Sequence, residues 1–166
     1  MDKRIRKLVW TAMLAALVCV ATLVIQIPSP MQGYVNLGDC FVLLSGWLLG
    51  PWYGMAAGGI GSMLADILSG YAHYAPGTLI IKAGMSLLAA FLYKAMGKRT
   101  LGLLAGGVAA ELWMAAGYFL YAALLLGKGL AAALSIPGNL VQGAIGLAAG
   151  LLLMKLMEKT GLSEKI

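Results

Sequence analysis

Six polar side chains interrupt apolar sequence where nothing polar is needed for solubility: Asp39, Asp66, Lys82, Glu111, Asn139 and Gln142. Ionisable groups inside a membrane are costly, so each needs a partner or a task. Lys82 with Asp66 reads as an ion pair, serving either a ligand or the cross-linking of helices. Thr78, Lys82 and Ser86 recur at helical spacing and share one face. Asn139 and Gln142 are three residues apart and also share a face. Amides offer both donor and acceptor and suit the edge of a heterocycle; bonding between helices is their other use. Glu111, near mid-depth, is open to three roles: substrate ligand, cation partner or protonated acid. Asn36 and Asp39 flank the start of an apolar block. His73 and Tyr74 lie in a short aromatic loop, and Tyr118 lies further along the chain. With Tyr34, these rings either anchor the protein at an interface or fold over a pocket and stack on an aromatic ligand.

The elements that must position these groups follow from composition. The chain is 61% apolar and 11% charged, with a mean hydropathy of +0.90. A soluble domain is nearer half apolar and about a quarter charged. An integral membrane protein follows, all-α, with room in 166 residues for six helices of about 20 residues each. The formal net charge of +6 does not point to nucleic acid, because the basic residues cluster at segment ends. Cys19 and Cys40 read as small buried hydrophobes, and no Cys/His spacing suggests a metal. No cofactor is expected. The chain has no phosphate-cradling Gly-rich loop, no nucleophile elbow and no zinc-protease helix motif, so it reads as neither an enzyme nor a nucleotide hydrolase.

Six segments are expected, at about 8–27, 39–49, 55–69, 78–94, 101–126 and 130–157, forming a single domain over residues 1–166. Residues 1–7 and the run after them read as a retained first helix, since no small-residue cleavage site follows. Residues 29–38 read as a polar connection and 70–77 as a loop. Lys3, Arg4, Arg6 and Lys7, then Lys94, Lys98 and Arg99, then Lys155, Lys159 and Lys165 fall on one side of six segments. The positive-inside rule makes that side, and both termini, cytoplasmic. Lys82 is then roughly 6 Å below the outer start of its helix at 1.5 Å per residue. Asp39, Asp66, Tyr118, Asn139 and Gln142 share that outer level. Polar groups from separate segments at one depth fit an outward-facing small-molecule pocket. Ala12 and Ala16, four apart, allow close approach of another helix, within the chain or from a separate subunit.

The run Tyr34-Val35-Asn36-Leu37-Gly38-Asp39, followed by Gly50-Pro51, Gly58-Gly59-Ile60-Gly61-Ser62, Leu64-Ala65-Asp66, Tyr71 and Thr78-Leu79-Ile80-Ile81-Lys82, resembles the substrate-binding S components of energy-coupling factor (ECF) vitamin transporters. The resemblance is strongest to the riboflavin, pyridoxine and hydroxymethylpyrimidine branch. It implies a multi-pass protein of a prokaryotic cell membrane that captures a vitamin from outside. Partners would be a transmembrane coupling subunit, docked at Ala12 and Ala16, and two ATPase subunits on other chains. Among vitamins, the short external loops favour a small hydroxylated ring such as pyridoxine, pyridoxamine or a hydroxymethylpyrimidine, with riboflavin as the alternative. A stand-alone carrier or channel, with Lys82 and Glu111 on an ion path, and a membrane scaffold are the readings from other classes. Glu111 matches no motif of the family.

Overall fold

The computed structural model describes residues 2–29 and 33–163. Helix α1 (Lys3–Val24) starts where the Asp2 carboxylate accepts from the Arg4 N–H at 3.1 Å, satisfying one of the unpaired donors of a helix start. The expected first segment ran to 27, but the helix ends at Val24 and the chain turns extended. Strands β1 (Gln26–Ser29) and β2 (Gly33–Asn36) pair antiparallel, with Ile27 opposite Val35 and Pro28 opposite Tyr34. This hairpin stands where a polar connection was expected. Pro28 stops the helix, while a two-stranded ribbon tolerates a residue without an N–H, and Ile27, Val35 and Tyr34 favour the extended state.

Helix α2 (Asp39–Leu49) is short and almost wholly buried. Gly50, at φ +79°, makes the corner into α3 (Pro51–Leu68). Only glycine takes that backbone angle cheaply, and Pro51 is preset for a first helical position. Helix α4 (Ala75–Ala95), α5 (Thr100–Leu120) and α6 (Ile136–Lys159) complete six α-helices among the described residues. A π-helical turn (Tyr121–Leu125) extends α5, and a 3-10 stretch (Gly129–Ser135) leads into α6.

Helix α2 packs at the centre, with Val42 and Leu43 fully buried. A Cβ on Gly54 would lie 2.8 Å from the Gly46 Cα and 2.9 Å from the Ser45 carbonyl oxygen. The α2–α3 crossing therefore admits no side chain there, the close approach that small residues allow in membrane bundles.

The outside of the bundle is apolar. Leu8, Val20, Ile80, Phe91, Leu112 and Leu152 are all exposed, whereas Asp39, Ser62, Asp66, Lys82, Glu111 and Gln142 are buried. That distribution suits lipid rather than water as the surrounding solvent. Among the described residues, four helical stretches are long and apolar enough to cross a membrane: Lys3–Val24, Ala75–Ala95, Thr100–Leu125 and Gly129–Lys159.

Candidate functional site: a polar cavity at one end of the bundle

A cavity lies where α1, α3 and α5 finish and α4 and α6 begin, at the opposite end from the basic clusters. It encloses about 620 Å³ of empty space, its open mouth included. Thr22 of α1, Asn36 of β2, Ser62 and Asp66 of α3, Thr78 and Lys82 of α4, Tyr118 of α5, and Asn139 and Gln142 of α6 line it, with Tyr34, Tyr74 and Ser135 towards the rim.

The floor is a chain of saturated bonds. Lys82 Nζ donates to Asp39 Oδ1, with both residues at most 2% exposed. Gln142 Nε2 donates to Asp39 Oδ2 at 2.7 Å. Gln142 Oε1 accepts from the Asn36 backbone N–H at 2.8 Å, and Asn36 Oδ1 accepts from the Gly38 N–H at 2.8 Å. Lys82 also lies 3.1 Å from the Met114 sulfur and 5.6 Å from the centre of the Tyr118 ring. Buried charges persist only when paired and hydrogen-bonded. The network joins α4, α2, α6 and β2, so it holds the hairpin to the bundle.

This pairing differs from the expected one. Lys82 bonds Asp39, not Asp66, because the first turn of α2 brings the Asp39 carboxylate under the α4 lysine. Asp39 also sits where a helix N-terminus favours an anion. Gln142 spends both ends of its amide on the floor.

The α3 wall is built otherwise. Asp66 Oδ1 accepts from the Tyr34 hydroxyl at 2.5 Å, the Thr78 hydroxyl also interacts with the Asp66 carboxyl, and Ser62 Oγ, buried, has no partner. Burial, and after it the neighbouring Asp66, push the Tyr34 hydroxyl well above the ordinary tyrosine range, so it remains a proton donor. Across the cavity Thr78 and Tyr118 share a hydrogen bond of 3.0 Å.

Aromatic rings run along the mouth. Tyr34 meets Tyr71 at 4.9 Å between centroids, His73 meets Tyr74 at 4.8 Å, and Tyr74 meets Tyr118 at 6.4 Å. The first two contacts are tilted and the third is edge-on, both offset from a face-to-face stack. The Tyr121 hydroxyl donates to the His73 carbonyl at 2.9 Å, and Lys128 Nζ donates to the Tyr74 hydroxyl at 2.9 Å.

Among the residues singled out in the sequence, Asn36, Asp66, Tyr74, Lys82, Tyr118, Asn139 and Gln142 meet around the cavity. Asp39 lies directly beneath it, bonded to two of the lining residues. His73 is exposed on the rim. Glu111 is buried behind the floor, without a hydrogen bond to either oxygen, and is not among the lining residues. It packs against α6, where a Cβ on Gly143 would come within 2.9 Å of its Oε2. Ser62 was not singled out, although its place four residues before Asp66 puts both on one helix face. Ala12 and Ala16 are exposed on the outer side of α1. Ala15, by contrast, faces α3, where its carbonyl stands against Gly61.

Comparison with known proteins agrees with this architecture. Residues 2–159 match the profile of the family described as ECF-type riboflavin transporter, S component. A Pyrococcus woesei protein described as an uncharacterized protein in gap 3'region is 37% identical over 137 residues, covering 80% of this chain and 88% of that one. The thiamine precursor transporter HmpT of Lactococcus lactis subsp. cremoris is 29% identical over 165 residues, covering 97% of this chain and 93% of its own. A solved structure titled as the S component of a bacterial ECF transporter superposes with a TM-score of 0.77 at 23% identity, over 95% of this chain and 98% of that one, and shows the same fold. The chain belongs to the S component family of ECF-type riboflavin transporters, the substrate-binding components of membrane vitamin-uptake systems.

Proposed function

We propose that the cavity captures a small hydroxylated nitrogen heterocycle, of the pyridoxine or hydroxymethylpyrimidine kind, from outside the cell of a prokaryote. The observation that carries this reading is a polar, aromatic-rimmed cavity at the end of the bundle away from the basic clusters. Such a site needs a few placed polar groups within an apolar lining. The relative named for a thiamine precursor supports the pyrimidine end of that range. Riboflavin is the second reading, favoured by the family's description.

The three basic clusters support six spans with both termini in the cytoplasm. On that reading the 11 residues of α2 reach only about 16 Å, and α2 and α3 run in and back as two antiparallel spans joined at Gly50. Delivery to the cytoplasm goes through a coupling subunit and two ATPase subunits on other chains, and the exposed Ala12 and Ala16 form the docking face on α1.

A thermal-shift panel on purified protein, with pyridoxine, pyridoxamine, 4-amino-5-hydroxymethyl-2-methylpyrimidine and riboflavin, tests the ligand reading. A ligand at 100 times its Kd stabilises by about 2.7 kcal/mol, so one of the small rings should raise the melting temperature clearly. No shift with any of the four overturns the reading. Ala12→Trp should leave ligand affinity unchanged and stop uptake by cells that carry the coupling subunits. Normal uptake by that variant removes the docking assignment.

A further inference from the structure

Glu111 is a buried ionisable side chain that the cavity leaves unused. It is 7% exposed, and neither of its carboxyl oxygens has a hydrogen bond. Asp39 of α2 and Lys82 of α4 are the charged groups within electrostatic reach of it. The Cys40 thiol of α2 also lies near and is bonded to the Leu37 carbonyl at 3.1 Å. The glycines of α6 set this arrangement and carry no charge themselves. A Cβ on Gly143 would meet Glu111 Oε2 at 2.9 Å, and one on Gly146 would meet the Asp39 Cβ at 2.7 Å and Glu111 Oε1 at 3.4 Å. The two acids therefore stand against one stretch of α6.

With both acids ionised, one ammonium group would face two carboxylates. Lys82 Nζ donates to Asp39 Oδ1 and Gln142 Nε2 to Asp39 Oδ2. Both side-chain donors of the floor are thus spent on Asp39, and neither reaches Glu111. A buried carboxylate with no donor is far costlier than the uncharged acid, the more so in a membrane, and a second carboxylate beside it adds repulsion. A metal ion could balance the charge instead, but among the described residues no three His, Cys, Asp or Glu side chains are grouped to hold one. The proton is the cation that needs no such set of ligands.

We infer that Glu111 is a proton-binding site, an uncharged carboxylic acid held behind the floor so that Lys82 keeps Asp39 as its partner. Loss of that proton places a second anion within reach of Lys82 and sets Glu111 against Asp39 for the same ammonium group. The bonds from Asp39 to Lys82 and Gln142 then weaken together, because both run through one carboxylate. The floor of the cavity is therefore proton-dependent, whatever the cavity binds.

The test uses the purified full-length protein without ligand, so its failure leaves the ligand reading untouched. At neutral pH the infrared difference between wild type and Glu111→Gln should contain the C=O stretch of a protonated carboxylic acid, moving to lower frequency in heavy water. Unfolding in detergent, followed from about pH 5 to about pH 9, gives a second readout. Glu111 ionises in the unfolded chain above about pH 4.3 but keeps its proton in the folded one, so folding takes up a proton and stability falls as pH rises. The unfolding constant of wild type relative to Glu111→Gln should therefore rise by up to about tenfold per pH unit. Glu111→Gln copies the shape of the uncharged acid, so it should fold and be the more stable form at the alkaline end. A carboxylate band in place of the acid band, or a ratio that does not change with pH, overturns the inference. So does a wild-type stability that depends on sodium or potassium concentration where that of Glu111→Gln does not, since a metal ion would then take the place of the proton.

Discussion

The floor of the cavity and its α3 wall are equally buried and comparably polar, but they handle their bonds in opposite ways. In the floor Lys82, Asp39, Gln142 and Asn36 come from four elements and satisfy each other. In the wall Ser62 and Asp66 come from one helix, and the Ser62 hydroxyl keeps no partner. A closed network in a low-dielectric setting specifies geometry, because every alternative leaves a charge exposed to nothing. The same polar residue types thus close a network in one place and leave a group open in another.

Removing one member of the floor is the most damaging way to break that contrast. Lys82→Met leaves Asp39 buried without its cation and should lower the stability of the ligand-free protein by about 3–5 kcal/mol. Thermal unfolding in detergent reads this as the largest fall in melting temperature of the set. The double variant Lys82→Met with Asp39→Asn should recover most of the loss, since no lone charge then remains. A fall no larger than that of a wall variant would erase the distinction between the regions.

Variants of lining residues outside the floor should show the reverse pattern. Asn139→Ala should weaken ligand binding by about 1–3 kcal/mol through an unpaired group on the ligand, with little change in the melting temperature of the empty protein. Titration calorimetry beside unfolding separates the two effects. Equal binding in the variant would move Asn139 to the architectural side. Tyr34→Phe comes last in the set, at about 1–3 kcal/mol of stability read by thermal unfolding, because it leaves a buried oxygen of Asp66 without its donor.

The convergence of these residues could be read from the chain before any coordinates, but not their division into floor and wall. The shared depth of Lys82, Asp66, Tyr118, Asn139 and Gln142 follows from segment order and the basic clusters, and those residues do meet at one cavity. Which carboxylate takes the lysine was not legible. Asp39 and Asp66 lie at the same level, and only the rotation of α2 against α4 decides between them. The hairpin was hidden for a related reason. Its strands are four residues each, too short for an alternating pattern to stand out from a connection. Glu111 shows the limit from the other side. Its depth was readable, but its place behind the floor depends on how closely Gly143 and Gly146 let α6 approach α5. Ser62 is legible from spacing alone, since it stands one helical turn before Asp66 in glycine-rich sequence.

The corner between α2 and α3 has an evolutionary corollary. A methyl group on Gly54 would strike main-chain atoms of Gly46 and Ser45 that have nowhere to go. On α5, by contrast, a methyl on Gly107 would first meet the tip of the Leu147 side chain, which can swing aside. Mutational drift is therefore far more constrained at Gly54 than at Gly107. Descendants of this protein that come to carry a different cargo should keep the glycine corner as it is.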